Sequence, residues 1–182
     1  QRTHEMLRIE LTKQLDLLAA RQAEGYIRRC HGDLHLNNIV LLDNEPTLFD
    51  AIEFDEEIAT IDVLYDLAFL IMDLWHRGMR LEANTVLNAY FQRDIPAEEW
   101  KGLKLLPLFL SLRASIRAMV GMHKLLLDTK DTERKAAQIN IHSYARLAGE
   151  VFATSSPQLV AIGGFSGTGK TSLARMVAPY IG

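Results

Sequence analysis

One stretch of the chain carries the residue types that phosphoryl transfer to a hydroxyl group requires. Residues 30–38 read CHGDLHLNN, and two apolar segments after them lead to Asp50. The reaction needs a carboxylate that accepts or orients the proton of the acceptor hydroxyl, and oxygen ligands that hold Mg²⁺ on the nucleotide phosphates. Asp33 suits the first role, and Asn38 and Asp50 suit the second. We therefore predict that these three residues form one catalytic centre.

A loop and a hairpin must bring these groups together. Asp33 and Asn38 are five positions apart, so a short irregular loop can direct both side chains to one cluster of ion and phosphate. The apolar run 39–42 is followed by residues 43–46, which read DNEP and are typical of a turn. A second apolar segment then ends at Asp50. We expect a β-hairpin that returns Asp50 to the neighbourhood of Asp33 and Asn38.

Three motifs in this part of the chain resemble those of the aminoglycoside phosphotransferase family. They are HGDLHLNN at 31–38, FDAIE at 49–53 and IDVLYDLA at 61–68. The resemblance covers residues 1–150 and is sharpest over 31–68. The family consists of small-molecule kinases built on the protein-kinase fold, so the resemblance implies the C-terminal lobe of such a fold, with ATP and Mg²⁺ as cofactors.

The resemblance also implies a role for individual residues. Asp33 would be the catalytic base, and Asn38 and Asp50 would be the magnesium ligands. His31 would position the catalytic loop, which comprises residues 30–38. Resemblance to a family of antibiotic kinases does not identify the acceptor, because related catalytic loops serve kinases of many small alcohols and the acceptor pocket decides between them.

Two acidic residues belong to a predicted apolar helix that follows the hairpin. Asp62 is expected to cap this helix, which should run to about Gly78 and be buried on most of its circumference. Asp66 lies inside the apolar pattern, where an unpaired carboxylate would be costly. We expect Asp66 to accept hydrogen bonds from the backbone of the catalytic loop. Both residues fall where the family has a structural acidic motif, so their role would be support.

The remaining periodicity predicts further helices in the first part of the chain. Pro107 should kink or split the apolar run between Trp100 and Leu127. The other predicted helices span residues 4–24, 81–92 and 132–152.

A second nucleotide motif begins after residue 158. Residues 159–163 read LVAIG and predict a short buried strand, and residues 164–171 read GFSGTGKT ahead of a helical pattern. This is a P-loop in its usual context, in which backbone amides and the helix N-terminus surround phosphate. Lys170 would reach the β- and γ-phosphates, and the Thr171 hydroxyl would ligate Mg²⁺. The predicted binding residues are Gly164, Ser166, Gly167, Thr168, Gly169, Lys170, Thr171 and Ser172.

These patterns predict an α+β protein that is mostly α-helical. Residues 1–152 would form the kinase-like C-terminal lobe, 153–158 (ATSSPQ) a linker, and 159–182 the truncated start of a P-loop kinase or AAA-type ATPase domain. The whole is similar to bacterial two-domain proteins that join domains of these two kinds. We expect a piece of a longer protein, because the phosphate-covering lobe that such a kinase needs and the rest of a P-loop sheet are not recognisable in it.

The composition of the chain argues against some partners and locations. The chain has 182 residues, of which 48% are apolar, and its formal net charge is −3. Without a basic run, we expect no nucleic-acid partner. The unbroken apolar stretches are shorter than the roughly 18–20 residues of a membrane helix, so we expect no membrane partner. Cys30 is the single cysteine, which excludes an internal disulfide and favours a reducing, cytoplasmic location. For Cys30 itself, the role of a small buried residue is favoured over that of a nucleophile.

Several alternatives stay open at the level of sequence. The acidic residues 53–57 could bind a cationic acceptor or belong to a solvated loop. Arg113, Arg117 and Lys124 share one helix face, which either borders the acceptor pocket or is a solvated face of a packed helix. His31 and His35 could suggest a metal pair, but the H-E-x-x-H helix pattern is absent, so a zinc site is disfavoured.

Three functions follow from these patterns. The first is an ATP-dependent phosphotransferase acting on the hydroxyl of a small molecule, with Asp33 as its base. The second places nucleotide chemistry at Lys170 and Thr171 and makes the kinase-like part a degenerate binding or regulatory module. The third is a folded helical scaffold that is catalytically silent when taken alone.

Overall fold

The computed structural model describes residues 2–93, 95–127, 131–153 and 159–181, and this part of the chain is mostly helical with four short strands. The prediction of a mostly helical α+β protein is confirmed. The α-helices are α1 (Arg2–Ala23), α2 (Glu56–Ala59), α3 (Val63–His76), α4 (Arg80–Phe91), α5 (Leu106–Leu127), α6 (Asp131–Glu150) and α7 (Lys170–Ile181). The strands are β1 (Ile27–Arg29), β2 (Ile39–Leu42), β3 (Glu45–Leu48) and β4 (Thr60–Asp62). Two 3₁₀ helices span Leu36–Asn38 and Glu99–Leu105.

Two antiparallel pairs of strands flank residues 30–38, the predicted catalytic loop. β1 pairs with β4, and β2 pairs with β3 in the hairpin that the sequence predicts. The turn of the hairpin is tighter than expected, because Glu45 and Pro46 already belong to β3. Asp43 and Asn44 form the turn at φ values of 51° and 65°. A two-residue hairpin turn needs positive φ at both positions, and Asp and Asn tolerate it better than most residues.

α3 is the central helix of the core. Leu64, Ala68 and Met72 on this helix have no exposed surface, and α3 packs against α4 and α5 while α6 packs on α5. Asp62 caps α3 as predicted, because its Oδ1 accepts a hydrogen bond of 2.8 Å from Leu64 N. The helix that carries Asp66 is therefore held firmly behind the catalytic loop.

A buried ionic cluster joins α1 to the start of α3. Arg21, which is 1% exposed, donates through Nε and Nη2 to Asp62 at 2.6 and 2.8 Å. Its Nη1 donates to Glu99 at 3.0 Å. Gly102 is needed beside this cluster, because a Cβ there would lie 2.5 Å from Arg21 Nη1 and from Leu64 Cδ1.

A long apolar helical segment runs from Glu99 to Leu127. Its 29 residues are long and apolar enough to cross a membrane by length and composition alone. Within it the 3₁₀ helix changes to α5 beside Pro107, so the predicted split of this run is confirmed. Leu108, Phe109, Leu110 and Ala114 are buried in the core, whereas Met119 and Leu126 of the same segment are exposed. Packing therefore accounts for part of the apolar composition.

The segment before α7 differs from the prediction. Residues 159–163 form no strand, and Leu159 is 95% exposed. A strand needs backbone hydrogen bonds to a neighbour, and the described residues place none beside this segment. α7 instead packs on α4, where Asn84 Nδ2 donates to the Pro179 carbonyl at 3.0 Å. Of the predicted linker, only Ala153 lies within the described residues, and the division into domains stays a prediction.

Candidate active site

The catalytic loop follows β1 and ends in the 3₁₀ helix Leu36–Asn38. Gly32 adopts φ +81°, and a Cβ at this position would lie 2.9 Å from Ile52 Cδ1. Any side chain would therefore be strained by both conformation and space. Glycine is the residue that this sharp turn requires directly before Asp33.

Asp66 on α3 holds the start of the loop. Its Oδ2 accepts a hydrogen bond of 3.1 Å from His31 N, and its Oδ1 accepts one of 3.0 Å from Gly32 N. The side chain is buried, with 7% exposure, so both backbone donors are satisfied away from water. These are the contacts expected of Asp66 from the sequence.

A second carboxylate on α3 holds the end of the loop. Asp73 Oδ2 accepts a hydrogen bond of 3.0 Å from Leu36 N, and the residue is 2% exposed. Asp73 follows Asp66 by seven positions, so the two carboxylates project from the same helix face two turns apart. Sequence analysis missed Asp73, although an acidic residue repeated at this spacing inside an apolar helix is a readable signal.

Asn38 and His35 both face the carboxylate of Asp33. The buried Asn38 side chain donates through Nδ2 to the Asp33 carbonyl at 3.0 Å and to Asp33 Oδ2 at 3.3 Å. With the amide nitrogen engaged in this way, Oδ1 is the atom of Asn38 that suits a cation. His35 Nε2 lies 3.4 Å from Asp33 Oδ2. The loop therefore brings Asp33 and Asn38 together as the spacing predicts.

His31 connects the loop to the end of the hairpin. Its Nε2 lies 2.8 Å from the Phe49 carbonyl oxygen, so this nitrogen must carry the hydrogen and donate. Ile52 N donates to the His31 carbonyl at 2.9 Å, and Phe49 N donates to the Asn38 carbonyl at 3.1 Å. Asp50, between these bonds, has φ 59°, a conformation that is uncommon outside glycine but more accessible to Asp.

Asp33 and Asp50 line the same open cleft. It has a volume of about 600 Å³, and Ala51, Ile52, Glu53 and Phe54 form the rest of its lining. Among the described residues, no group of three or more His, Cys, Asp or Glu side chains could hold a metal ion by itself. Magnesium in kinase sites is held by one or two protein oxygen ligands together with nucleotide phosphates. Asp50 and the Asn38 amide oxygen fit such a partial ligand set.

Two of the acidic residues at 53–57 make structural contacts. Asp55 caps α2 by accepting hydrogen bonds from Glu57 N and Ile58 N at 2.9 and 3.1 Å. Glu56 forms an exposed ion pair with Arg29 at 2.7 Å. Glu53 is the residue of this acidic group that lines the cleft. The hypothesis of a cationic acceptor therefore depends chiefly on Glu53.

The three basic residues on one face of α5, which are Arg113, Arg117 and Lys124, differ in how deeply they are buried. Lys124 is exposed and Arg117 is half-buried, whereas Arg113 is 8% exposed and donates through Nη1 to the Gly32 carbonyl at 3.3 Å. The interpretation of a solvated face is wrong for Arg113, because the helix turns this residue beneath the catalytic loop. Periodicity places all three on one face but does not show what covers it.

The P-loop-like residues form an exposed loop ahead of α7. Gly164, Gly167 and Gly169 adopt φ values of 150°, 78° and 77°. Lys170 Nζ donates to the Phe165 carbonyl at 2.6 Å. These residues line no part of the Asp33 cleft within the described chain.

Comparison with known proteins supports the first of the two motifs. The model of the phosphotransferase enzyme family matches residues 2–106. One uncharacterized protein of Mycobacterium bovis and two of Mycobacterium tuberculosis are each 32% identical over 166 residues, which cover 91% of this chain and 32% of theirs. The chain thus spans about a third of the length of these curated relatives. No solved structure matches it. The matched residues contain the loop at 30–38, the hairpin and all of α3. The chain belongs to the phosphotransferase enzyme family.

Proposed function

We propose that this chain carries the catalytic loop of an ATP-dependent phosphotransferase that modifies a hydroxyl group of a small molecule. The observation that carries the proposal is the shared cleft of Asp33 and Asp50, with Asn38 hydrogen-bonded to Asp33 at its side. A base and two oxygen ligands in this relation are what transfer of a γ-phosphoryl group to an alcohol needs.

Asp33 is the proposed base. Its side chain is 41% exposed, so a hydroxyl in the cleft can approach it, while Asn38 and the loop backbone restrict its orientation. A positioned carboxylate that takes the acceptor proton contributes about 10²–10⁴-fold to the rate. The rest of the rate enhancement comes from alignment of the reacting groups and stabilisation of charge.

Asn38 and Asp50 are the proposed ligands of Mg²⁺. Bound ATP would supply the γ-phosphoryl group, and bound magnesium would neutralise the charge that develops on it. The hydrogen bond from His31 to the Phe49 carbonyl ties the position of Asp50 to that of the loop. His31 is therefore proposed to set the distance between the base and the metal ligand.

The test compares variants of the full-length protein in a coupled assay of phosphoryl transfer and in calorimetry with Mg·ATP. We expect Asp33→Asn to lower turnover at least about 10³-fold while nucleotide still binds, and Asp50→Ala to abolish Mg-dependent nucleotide binding at this site. Asp43→Asn, at the exposed tip of the hairpin, is the matched control and should behave as wild type. Undiminished turnover of Asp33→Asn would refute the proposal.

A second candidate site is the P-loop-like segment. Three glycines with positive φ precede α7, and Lys170 reaches back over the loop to the Phe165 carbonyl, a contact that a phosphate group could replace. In this alternative, Lys170 and Thr171 bind a nucleotide and the kinase-like part regulates its use. Lys170→Ala should then remove one of two nucleotide sites in calorimetry. Retention of all nucleotide binding and hydrolysis by this variant would exclude the alternative.

A further inference from the structure

Arg113 lies directly beneath the catalytic loop. Its Nη1 donates to the Gly32 carbonyl at 3.3 Å, and its Nε donates to the Tyr65 carbonyl at 3.4 Å. The residue belongs to α5, beyond residues 2–106 that the family model matches. A residue distant in sequence thus contacts the peptide group that joins Gly32 to Asp33.

Burial of the Arg113 guanidinium is energetically unfavourable in these surroundings. The guanidinium lies 3.9 Å from the ring centroid of Tyr65 and 4.6 Å from that of Phe69. Within the described chain its buried Nη2 has no hydrogen-bond partner, and Asp66 Oδ1 lies 4.0 Å from it. Burial lowers the pKa of Arg113, while Tyr65, Asp66 and Asp33 act in the opposite direction.

Stability alone gives little reason for an arginine here. A buried charge with incomplete pairing contributes no net stability compared with a well-packed apolar side chain of similar volume. Stacking on Tyr65 and Phe69 would be available to a methionine as well. A methionine could not supply the hydrogen bonds to the Tyr65 and Gly32 carbonyls, and the bond to Gly32 is the one that reaches the catalytic loop.

Gly32 is held from both sides. Asp66 accepts the hydrogen bond from its N–H at 3.0 Å, and Arg113 donates to its carbonyl. Glycine is the most flexible residue of the loop, and rotation of its carbonyl would turn the backbone of Asp33. Asp66 therefore fixes the peptide between His31 and Gly32, and Arg113 fixes the peptide between Gly32 and Asp33, which is the one that precedes the proposed base.

We propose that Arg113 is a positioning residue for phosphoryl transfer, which fixes the peptide between Gly32 and Asp33 and thereby aims the Asp33 carboxylate. The proposal rests on the proposed function of Asp33. Misplacement of a reacting group by about 1 Å costs on the order of 10²-fold in rate, so a clear kinetic effect follows.

The experiment uses the full-length protein and three variants. We expect Arg113→Met to lower kcat by about 30–100-fold, with the KM values for ATP and acceptor within about threefold of wild type. Arg113→Lys keeps a donor and should recover part of the loss. Arg117→Met is the matched control, because Arg117 lies one turn further along α5 and also faces Phe69, at 6.0 Å. It should retain wild-type kcat.

Hydrogen exchange gives a readout that does not depend on activity. The amides of His31 and Gly32 should exchange at least about tenfold faster in Arg113→Met, but not in Arg117→Met, because opening of the loop is easier without the carbonyl contact. If Asp33→Asn keeps full turnover, the proposed function fails, and the exchange rates still decide whether Arg113 holds the loop. Wild-type kcat per folded molecule in Arg113→Met would overturn the proposal. If this variant does not fold, the proposal is overturned by an Arg113→Lys variant in which the amides of His31 and Gly32 exchange faster than in wild type while kcat is unchanged.

Discussion

His31 Nε2 donates a hydrogen bond of 2.8 Å to the carbonyl of Phe49, the residue directly before Asp50. This bond joins the two segments that supply the proposed base and the proposed metal ligand. A return bond from Ile52 N to the His31 carbonyl closes the connection on the other side of Asp50. The relation between Asp33 and Asp50 is therefore set by backbone hydrogen bonds together with one bond from a histidine side chain.

Replacement of His31 tests the side-chain bond. We expect His31→Ala to weaken Mg-dependent nucleotide binding and to lower kcat by about 10–100-fold, because only backbone hydrogen bonds then fix the hairpin end to the loop. Calorimetry and initial-rate kinetics measure the two effects. His123→Ala removes an exposed histidine of α5 and should leave both quantities unchanged. Equal behaviour of the two variants would mean that the bond to Phe49 has no part in the site.

Loss of Asp66 should destabilise the fold. Asp66→Ala leaves the buried N–H groups of His31 and Gly32 without their acceptor, so the free energy of unfolding should fall by about 2–4 kcal/mol. Urea denaturation followed by circular dichroism measures the change. Asp55→Ala removes a carboxylate that also accepts two backbone hydrogen bonds, but at an exposed helix start, and should cost only about 1 kcal/mol. If Asp66→Ala lowers the free energy of unfolding no more than Asp55→Ala does, Asp66 does not support the catalytic loop as we infer.

Local patterns predict the fold and the site better than long-range contacts do. The spacing of Asp33 and Asn38 and the turn residues after β2 act within a few positions, so the loop and hairpin are readable from sequence. Asp66 is readable because a carboxylate in an apolar helix needs partners. The contact of Arg113 with Gly32 depends on how α5 packs, which periodicity does not determine. The strand predicted at 159–163 is wrong, since the described residues provide no neighbouring strand.

The buried cluster of Arg21, Asp62 and Glu99 should be sensitive to removal of its cation. Arg21→Met leaves two carboxylates buried without their partner, so we expect a loss of about 3–5 kcal/mol in the free energy of unfolding. Arg8→Met breaks an exposed ion pair with Glu5 and should change stability by less than about 1 kcal/mol. Denaturant unfolding of both variants measures the contrast. Similar small losses would show that the cluster gives no net stabilisation.

Cys30 should react slowly while the protein is folded. Burial, with Asp66 and Asp62 nearby, raises the pKa of the Cys30 thiol to about 11, so little thiolate is present near pH 8. Alkylation by iodoacetamide should therefore be much slower in native protein than in urea, and mass spectrometry measures both rates. The native rate should rise with pH and level off only near pH 11. The structure places Cys30 half-buried, less deeply than the sequence predicts. A native rate equal to that in urea at pH 8 would show that this partial burial does not protect the thiol.

His76 should make the fold less stable in mild acid. Its ring stacks on Tyr144 at 3.6 Å between centroids, and its Nε2 lies 2.6 Å from Ser143 Oγ, which itself donates to the Asn140 carbonyl. Burial lowers the pKa of His76 from its ordinary value near 6.5, with Arg77 and Arg117 acting in the same direction and Asp73 against it.

Protonation of His76 favours the unfolded chain. Below about pH 6.5 the unfolded chain binds a proton at His76 that the folded chain still excludes, so the contribution of this group to stability falls as the pH decreases. His76→Phe keeps the stack on Tyr144 without a titrating group and should lose less stability between pH 7 and pH 5 than wild type does. His142→Gln removes an exposed histidine of α6 and should follow wild type. Denaturant unfolding at both pH values measures the difference, and identical pH dependence of wild type and His76→Phe would show that His76 takes up its proton equally well in the folded state.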